Sequence, residues 1–430
     1  MEFVPSKRNQ ETVTLNKGQQ KAVDALIDFI ASPFSKGSNI QALCGAGGVG
    51  KTFVMKYVIE HCRYTRSMII CAAPTHKACR VLANATKMKV DTIQKLFGFR
   101  LDVDIEDFDP NNPAFKPVGS VKFNGDTTRV LIIDESSMLN RALVNYILAY
   151  CRKQEIKVIF IGDDSQLAPV KETVSYAFKV ASKINRLTEI VRQEDTNPIR
   201  ELLDILRIDI KNRSYNFLSY ICNHRKDVVG GKGYIVVGNA EFKQLINRGF
   251  VDKDFEKNVD LYRLVAYTNK AVTGWNNHIR NVTIKNADRS ILNNNDLIMS
   301  YTTIVDEFND IIINNSEDYI IRDILNFVDQ DYGFKGFMVK FQAIHGGGIT
   351  KPLFVIDHRD AYTFNTYCQE LNYLIETAKA AQSYDRSSKW KKYFEFKRKY
   401  LLLCDVRDTL GRIMFTRDID YGFALTSHKA

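Results

Sequence analysis

The stretch Gly45-Ala46-Gly47-Gly48-Val49-Gly50-Lys51-Thr52 sets phosphate chemistry within one short loop. Its glycines let successive backbone N–H groups turn inward around phosphate oxygens, and a helix starting directly after them adds the positive end of its dipole. Lys51 has the reach to meet β- and γ-phosphates, and Thr52 offers a hydroxyl to Mg²⁺. The flanks give the context this pattern needs: an apolar run, NIQALC, before it and an amphipathic one, KTFVMKYVIEHC, after it. A nucleoside triphosphate site with Mg²⁺ is the expectation.

Further polar residues fit the same chemistry. In VLIIDESSM an apolar run delivers Asp134 and Glu135. Asp134 suits a water-mediated hold on Mg²⁺, and Glu135 can orient and deprotonate an attacking water. A second carboxylate beside the metal ligand favours hydrolysis over phosphate transfer to a metabolite, which does not need it. FIGDDSQLAPV adds Gln166, an uncharged amide suited to sensing a γ-phosphate, and LTEIVRQ adds Arg192. A guanidinium there fits developing phosphate charge, with a structural salt bridge as its competing role.

These residues need a scaffold that gathers strand ends. NIQALC, SMIICAAP, VLIIDE and KVIFIGD are continuous apolar runs alternating with helical stretches, the pattern of parallel strands buried on both faces. Such α/β sheets bind ligands beyond the carboxyl ends of their strands, where the polar motifs fall. Turn signals around DPNNP break the rhythm at 98–125 and suggest a hairpin-like insertion. A second α/β region begins near 195, with strands expected at YIVVG and YRLVAYTN. Residues 291–405 read as a third, mostly β module with aromatic-rich helices, after which YGFALT returns to the second sheet. No internal repeat or low-complexity tract is visible.

Composition agrees with a soluble globular chain. Of 430 residues, 45% are hydrophobic and 26% charged, and the formal net charge of +10 suits a groove for phosphate backbones. The eight cysteines form no CxxC pair and read as reduced thiols, and Cys222 with His224 lacks a second ligand pair at zinc-site spacing. The start is not a signal peptide, and no apolar run approaches membrane-spanning length.

With these stretches together, the sequence resembles a superfamily-1 DNA helicase, of the Dda type within the RecD-like group. The likeness covers nearly the whole chain. LNKGQQKAV is similar to the family's adenine-reading motif, with Gln19 as the amide facing the base. APTHKA and DTIQKLF resemble the strand-contacting motifs, AYTNKAVTGWNNHIR the A-[YF]-T-N segment, and ALTSHKA the T-x-H-K-x-Q-G motif. In two places the chain departs from the family: Gln94 stands where a His is usual, and the Gln-Gly, helix and second arginine finger that follow T-x-H-K are absent from the sequence. A truncated or split protein is therefore expected, with a second sheet less stable than the first.

The resemblance implies two RecA-like, doubly wound motor domains (1–97 with 126–190, and 191–290 with 406–430), the latter incomplete at its C-terminus. A strand-separating hairpin at 98–125 and the accessory module at 291–405 complete the expected organisation. It further implies Mg-ATP hydrolysis in the cleft and single-stranded DNA crossing both domains, read 5′ to 3′. Pro74, Thr75, His76, Thr92, Gln94, Thr268, Asn269, Thr426 and His428 fall on matching motifs, and Phe108 and Phe115 could stack at the strand junction or form the hairpin's core. Such contacts ignore base identity and depend on salt. Fork or duplex DNA, a single-strand-binding protein and replication or recombination factors are implied partners. A monomer in the host cytoplasm completes the picture if the chain is phage-encoded. The run WKKYFEFKRKYLLL reads as an ordinary amphipathic helix rather than a nucleic-acid face. A nucleotide-gated DNA-binding protein with impaired turnover is the alternative, and a metabolite kinase the weaker one.

Overall fold

The structure is a computed structural model. It describes residues 15–99, 109, 117, 119–166, 169, 172, 175–189, 197–306, 311–344 and 348–426. The first α/β unit opens with α1 (Lys17–Ala31), β1 (Ile40–Gly45), α2 (Lys51–His61), β2 (Ile69–Ala73), α3 (His76–Thr86), β3 (Val90–Thr92) and α4 (Ile93–Phe97). It continues through β4 (Val130–Ile133), α5 (Arg141–Lys153), β5 (Lys157–Gly162), α6 (Tyr176–Lys179) and β6 (Lys183–Leu187). Its strands pair in the order β3-β2-β4-β5-β1-β6, every pairing parallel.

The apolar runs form strands because both faces are covered. Ala42, Leu131, Ile133, Val158 and Phe160 pack with Leu143, Val144, Ile147 and Leu148 of α5. Their alternate neighbours Leu43, Val130, Ile132, Ile159 and Ile161 pack against Leu26 and Ile30 of α1 and Val54, Met55 and Val58 of α2. Each fully buried aliphatic side chain of this kind contributes about 1.5–3 kcal/mol. The buried Lys157 amine closes the far end of the sheet by donating to the Phe29 and Ser32 carbonyls and, at 3.3 Å, to that of Ile30. It thereby satisfies carbonyls at the negative end of α1 that a helix terminus leaves without partners.

The second region runs through α7 (Ile199–Asn212), α8 (Asn216–Asn223), β7 (Lys226–Val229), β8 (Lys232–Ile235), α9 (Asn239–Phe250), α10 (Lys253–Lys257), β9 (Leu264–Ala266) and α11 (Asn269–Thr283). The expected YIVVG strand is half of an antiparallel β7–β8 hairpin and joins no parallel sheet among the described residues. Gly230, Gly231 and Gly233 around its turn take positive φ, so hairpin geometry is locally encoded there.

The module contains β10 (Leu297–Ser300), β11 (Ile304–Val305), β12 (Ile311–Ile313), β13 (Asp318–Val328), β14 (Lys335–Ala343) and β15 (Leu353–Ile356). The antiparallel helices α12 (Ala361–Ala380) and α13 (Ser383–Lys399) and the strand β16 (Tyr400–Leu401) follow. Phe394, Phe396 and Tyr400 are buried, with Phe396 stacked on Tyr367 of α12 at 5.3 Å, so the rings of this run pack inside the module. Residues 406–421, expected with the second motor domain, form β17 (Val406–Arg407), β18 (Ile413–Phe415) and β19 (Ile419–Tyr421). Of these, β19 pairs with β10 in the module's own six-stranded sheet, β16-β15-β14-β13-β10-β19.

β20 (Ala424–Thr426) then returns, parallel, to β9. The buried Asn276 of α11 fixes that return: its amide donates to the Tyr421 and Ala424 carbonyls at 2.7 and 3.1 Å and accepts from Ala424 N at 2.7 Å. One hydrophobic core runs from Phe250, Leu264, Val272 and Ile279 into Leu297, Tyr319, Phe341 and Val355 of the module. The inserted module and the second region are therefore packed as one body. No helix among the described residues is long and apolar enough to cross a membrane.

Candidate nucleotide and nucleic-acid site

The glycine loop joins β1 to α2 at the carboxyl edge of the first sheet. Gly48 and Gly50 have φ of 84° and 86°, a left-handed geometry that side chains resist, and Gly50 is the N-cap of α2. A Cβ on Gly50 would also stand 2.5 Å from the Gln19 amide nitrogen. No acidic residue occupies the first turn of α2, so its free N–H groups and dipole favour an anion. Lys51 reaches back over the loop, donating to the carbonyls of Gly45 at 2.7 Å and Ala46 at 3.1 Å. Thr52 is the next residue of the helix and half-buried.

β4 ends two strands away from β1 and delivers Asp134 and Glu135 to the same edge. Asp134 is 7% exposed, and its carboxylate accepts from Glu135 N at 2.9 Å. Burial, and then the neighbouring Glu135, pushes its pKa up to about 6, while Lys51 acts in the opposite direction. A buried carboxylate held against its solvation preference fits a divalent cation, which would offset both effects. Glu135 adopts φ 49°, ψ 40°, the left-handed region that costs a non-glycine residue about 1–2 kcal/mol. Strain of this kind gathers at functional sites.

Ser137, two residues on, donates to Gln166 Oε1 at 3.4 Å, so the expected sensing amide lies beside the carboxylate turn. The Gln166 loop is shaped by Asp163, which accepts from Ser165 N at 2.9 Å. Sequence reasoning missed what stands next to it. Asp164 receives both Arg186 nitrogens, each at 2.8 Å, and Arg186 lies beside Cys44 in the β1–β6 register, at the foot of the loop. The Cys44 thiol is pushed up to about 12, first by burial and then by Asp164. The GDDSQ run carried the signal, but a guanidinium ten or more residues away can be paired with it only through the β1–β6 contact. Arg192 lies outside the described residues.

Gln19 has a different setting from the one its motif implies. It is 3% exposed, its Oε1 accepts from Asn16 N, and its Nε2 donates to Val49 O, both at 3.1 Å. The amide thus closes the capping box of α1 and braces the glycine loop from behind.

The residues expected to contact the strand divide. Thr75 is the N-cap of α3, its hydroxyl accepting from Ala78 N at 3.2 Å, with His76 half-buried beside it and Pro74 buried before it. Burial lowers the His76 pKa, which keeps its ring neutral near pH 7. Thr268 is the N-cap of α11, accepting from Ala271 N at the same 3.2 Å, with Asn269 exposed next to it. Thr426, half-buried, ends β20 opposite Ala266. A short repeat that the sequence reading overlooked explains the match: A-P-T-H-K-A at 73–78 and A-Y-T-N-K-A at 266–271 build one strand–cap–helix junction in each region. Thr92 and Gln94, by contrast, are buried, Thr92 capping α4 through Lys95 N at 3.3 Å and Gln94 Oε1 having no hydrogen-bond partner among the described residues. Phe108, Phe115 and His428 lie outside the described residues.

A parallel α/β sheet that gathers a glycine-rich phosphate loop, its lysine and a carboxylate pair at one edge defines a P-loop nucleoside-triphosphatase fold. Residues 14–219 match the family described as AAA domain. The chain is 27% identical to the ATP-dependent DNA helicase dda of Enterobacteria phage T4, covering 62% of this chain and 56% of that one. It is 26% identical to an uncharacterized protein of Acanthamoeba polyphaga mimivirus, over 59% of each chain. It is also 28% identical to the ATP-dependent RecD2 DNA helicase of Deinococcus radiodurans, over 43% of this chain and 23% of the other. The chain thus spans little more than half the length of the first two relatives. The chain is similar to superfamily-1 helicases of the RecD-like branch, the Dda type among them.

Proposed function

We propose that this chain is an ATP-dependent DNA helicase that couples Mg-ATP hydrolysis to movement along single-stranded DNA, 5′ to 3′. The observation carrying this reading is the meeting of Lys51, Asp134 and Glu135 at one sheet edge, with Thr75 and His76 on the next strand–helix junction of that sheet. The α2 N-terminus and Lys51 bind and orient the triphosphate, and Thr52 and Asp134 would hold Mg²⁺, directly or through water. Bound there, the ion supplies charge to the phosphate oxygens. Glu135, at its left-handed turn, orients a water and takes its proton. Gln166, bonded to Ser137, reports the state of the γ-phosphate side to that turn.

On the DNA track, Thr75, Thr268, Asn269 and Thr426 offer hydroxyl, amide and helix-terminal N–H groups to phosphates, and the neutral His76 ring offers a stacking face. Their readout is of backbone and ring, so binding without base preference follows. Replication or recombination in a phage or viral setting, with a single-strand-binding protein nearby, suits the relatives. The test is ATP turnover titrated with single-stranded DNA for the wild type and Glu135→Gln. Stimulation of the wild type, lost in the variant while nucleotide binding persists, is the expected result. Turnover indifferent to DNA would leave the alternative, a nucleotide-gated binding protein.

A further inference from the structure

We propose that Arg80 is a phosphate contact for the DNA strand and that Glu317 holds its place in the DNA-free protein. The inference rests on the DNA-binding reading above and adds to it a residue and a competitor. Arg80 sits in α3 four residues after His76, about one helical turn along the same face and about 6 Å further up the axis. Its guanidinium is bonded to the Glu317 carboxylate, across 237 positions of sequence. This ion pair joins the first α/β unit to the inserted module.

Glu317 is held ready for that contact. It lies between β12 and β13, is 7% exposed, and its Oε2 accepts from Asn314 Nδ2 at 2.7 Å and from the Tyr319 hydroxyl at 3.2 Å. Tyr319 is itself buried, and its oxygen accepts from Asn314 N at 2.8 Å. This bracket leaves Oε1 for Arg80. To a guanidinium, a fixed carboxylate and a phosphodiester present the same pair of oxygens. On the same face His76, one turn back, has a pKa lowered by burial and carries no competing charge near neutral pH, while the exposed Lys77, three residues back, adds a second cation for a phosphate.

A strand laid over Thr75 and His76 therefore brings a phosphate to the group that Glu317 occupies. Exchange of one oxyanion for the other frees the module from α3, and by linkage anything that loosens the module favours the strand. Glu317 lowers affinity, and Arg80 raises it.

The experiment is equilibrium binding of a labelled oligothymidine, without hydrolysis, over a salt series. Glu317→Gln is expected to bind about tenfold tighter than wild type. Arg80→Gln is expected to bind more weakly, with a plot of log K against log salt shallower by about 0.7, one single-strand phosphate contact. In the Arg80→Gln background, Glu317→Gln should change affinity less than about twofold. Glu317→Asp, which withdraws the carboxylate by one methylene, repeats the gain more weakly and serves if the Gln variant fails to fold. A wild type that binds and is stimulated by DNA, with Glu317 variants no tighter or a gain that survives loss of Arg80, overturns this inference alone. A wild type that does not bind the strand overturns it together with the helicase reading.

Discussion

The two halves of this chain use one junction on two different scaffolds. A-P-T-H-K-A and A-Y-T-N-K-A each end a parallel strand, cap a helix with threonine through a 3.2 Å bond to the third residue on, and begin that helix with a polar ring or amide. In the first, β2 is flanked by β3 and β4 inside a six-stranded sheet with cores on both faces. In the second, β9 pairs only with β20 among the described residues. Val265 of β9 is 53% exposed and the neighbouring Tyr267 94% exposed. Local sequence is enough to make the junction; the support under it comes from elsewhere. The contrast teaches that the first unit is built to hold charges in fixed places and the second to present contacts.

The largest expected effects fall on the chemistry confined to the first unit. Glu135→Gln should lower DNA-stimulated ATP turnover by about 10³-fold, with nucleotide binding retained, whereas Asn269→Ala should weaken DNA binding and leave basal turnover within about threefold. Steady-state kinetics and strand binding on both variants check this, and equal damage to turnover by both would break the division. Next, amide hydrogen exchange should find β1, β4 and β5 opening only with global unfolding, and β9 and β20 exchanging at least about 10²-fold faster. Equal protection of the two regions would mean that the second sheet is supported in a way its exposure does not suggest.

Asp134 sharpens the comparison through pH. Its pKa in the folded chain is raised from 3.8 to about 6, so the proton is bound more tightly folded than unfolded. The stability linked to that proton is fully present below about pH 4 and is lost as pH rises through 6. Ionised at pH 7, the buried carboxylate costs about 2–3 kcal/mol at roughly 1.4 kcal/mol per pKa unit. Asp134→Asn should therefore stabilise the nucleotide-free, metal-free protein above pH 6, the gain shrinking towards pH 4, as thermal unfolding across pH would record. A gain that is independent of pH would show that packing, not charge, is responsible. The smallest effect concerns the two caps. Thr75→Ala and Thr268→Ala should each cost about 1 kcal/mol of local helix stability, the half-buried Thr75 more than the exposed Thr268.

Much of this was legible in the order of residues. Four apolar runs became β1, β2, β4 and β5 because a strand covered on both faces has no polar side to hide. The glycine loop needs only its own φ angles and the helix after it, so local sequence specifies it almost completely. YGFALT, expected to return to the second sheet, pairs with the strand at YRLVAYTN, while YIVVG forms a separate hairpin. The six-residue cap repeat carries little weight in sequence, because two matches of such length mean something only once both start helices.

What the sequence determined by itself was local: the phosphate loop, the strand that ends in Asp134 and Glu135, and threonines poised to cap helices. Each depends on backbone geometry or on neighbours within a few positions. The tertiary structure alone decided that Gln19 turns inward to brace the loop, that Thr92 and Gln94 are buried, that β19 joins the module, and that Arg80 meets Glu317. Those outcomes rest on which distant surfaces come to lie against each other, and burial and long-range pairing have no signature in the spacing of residues along the chain.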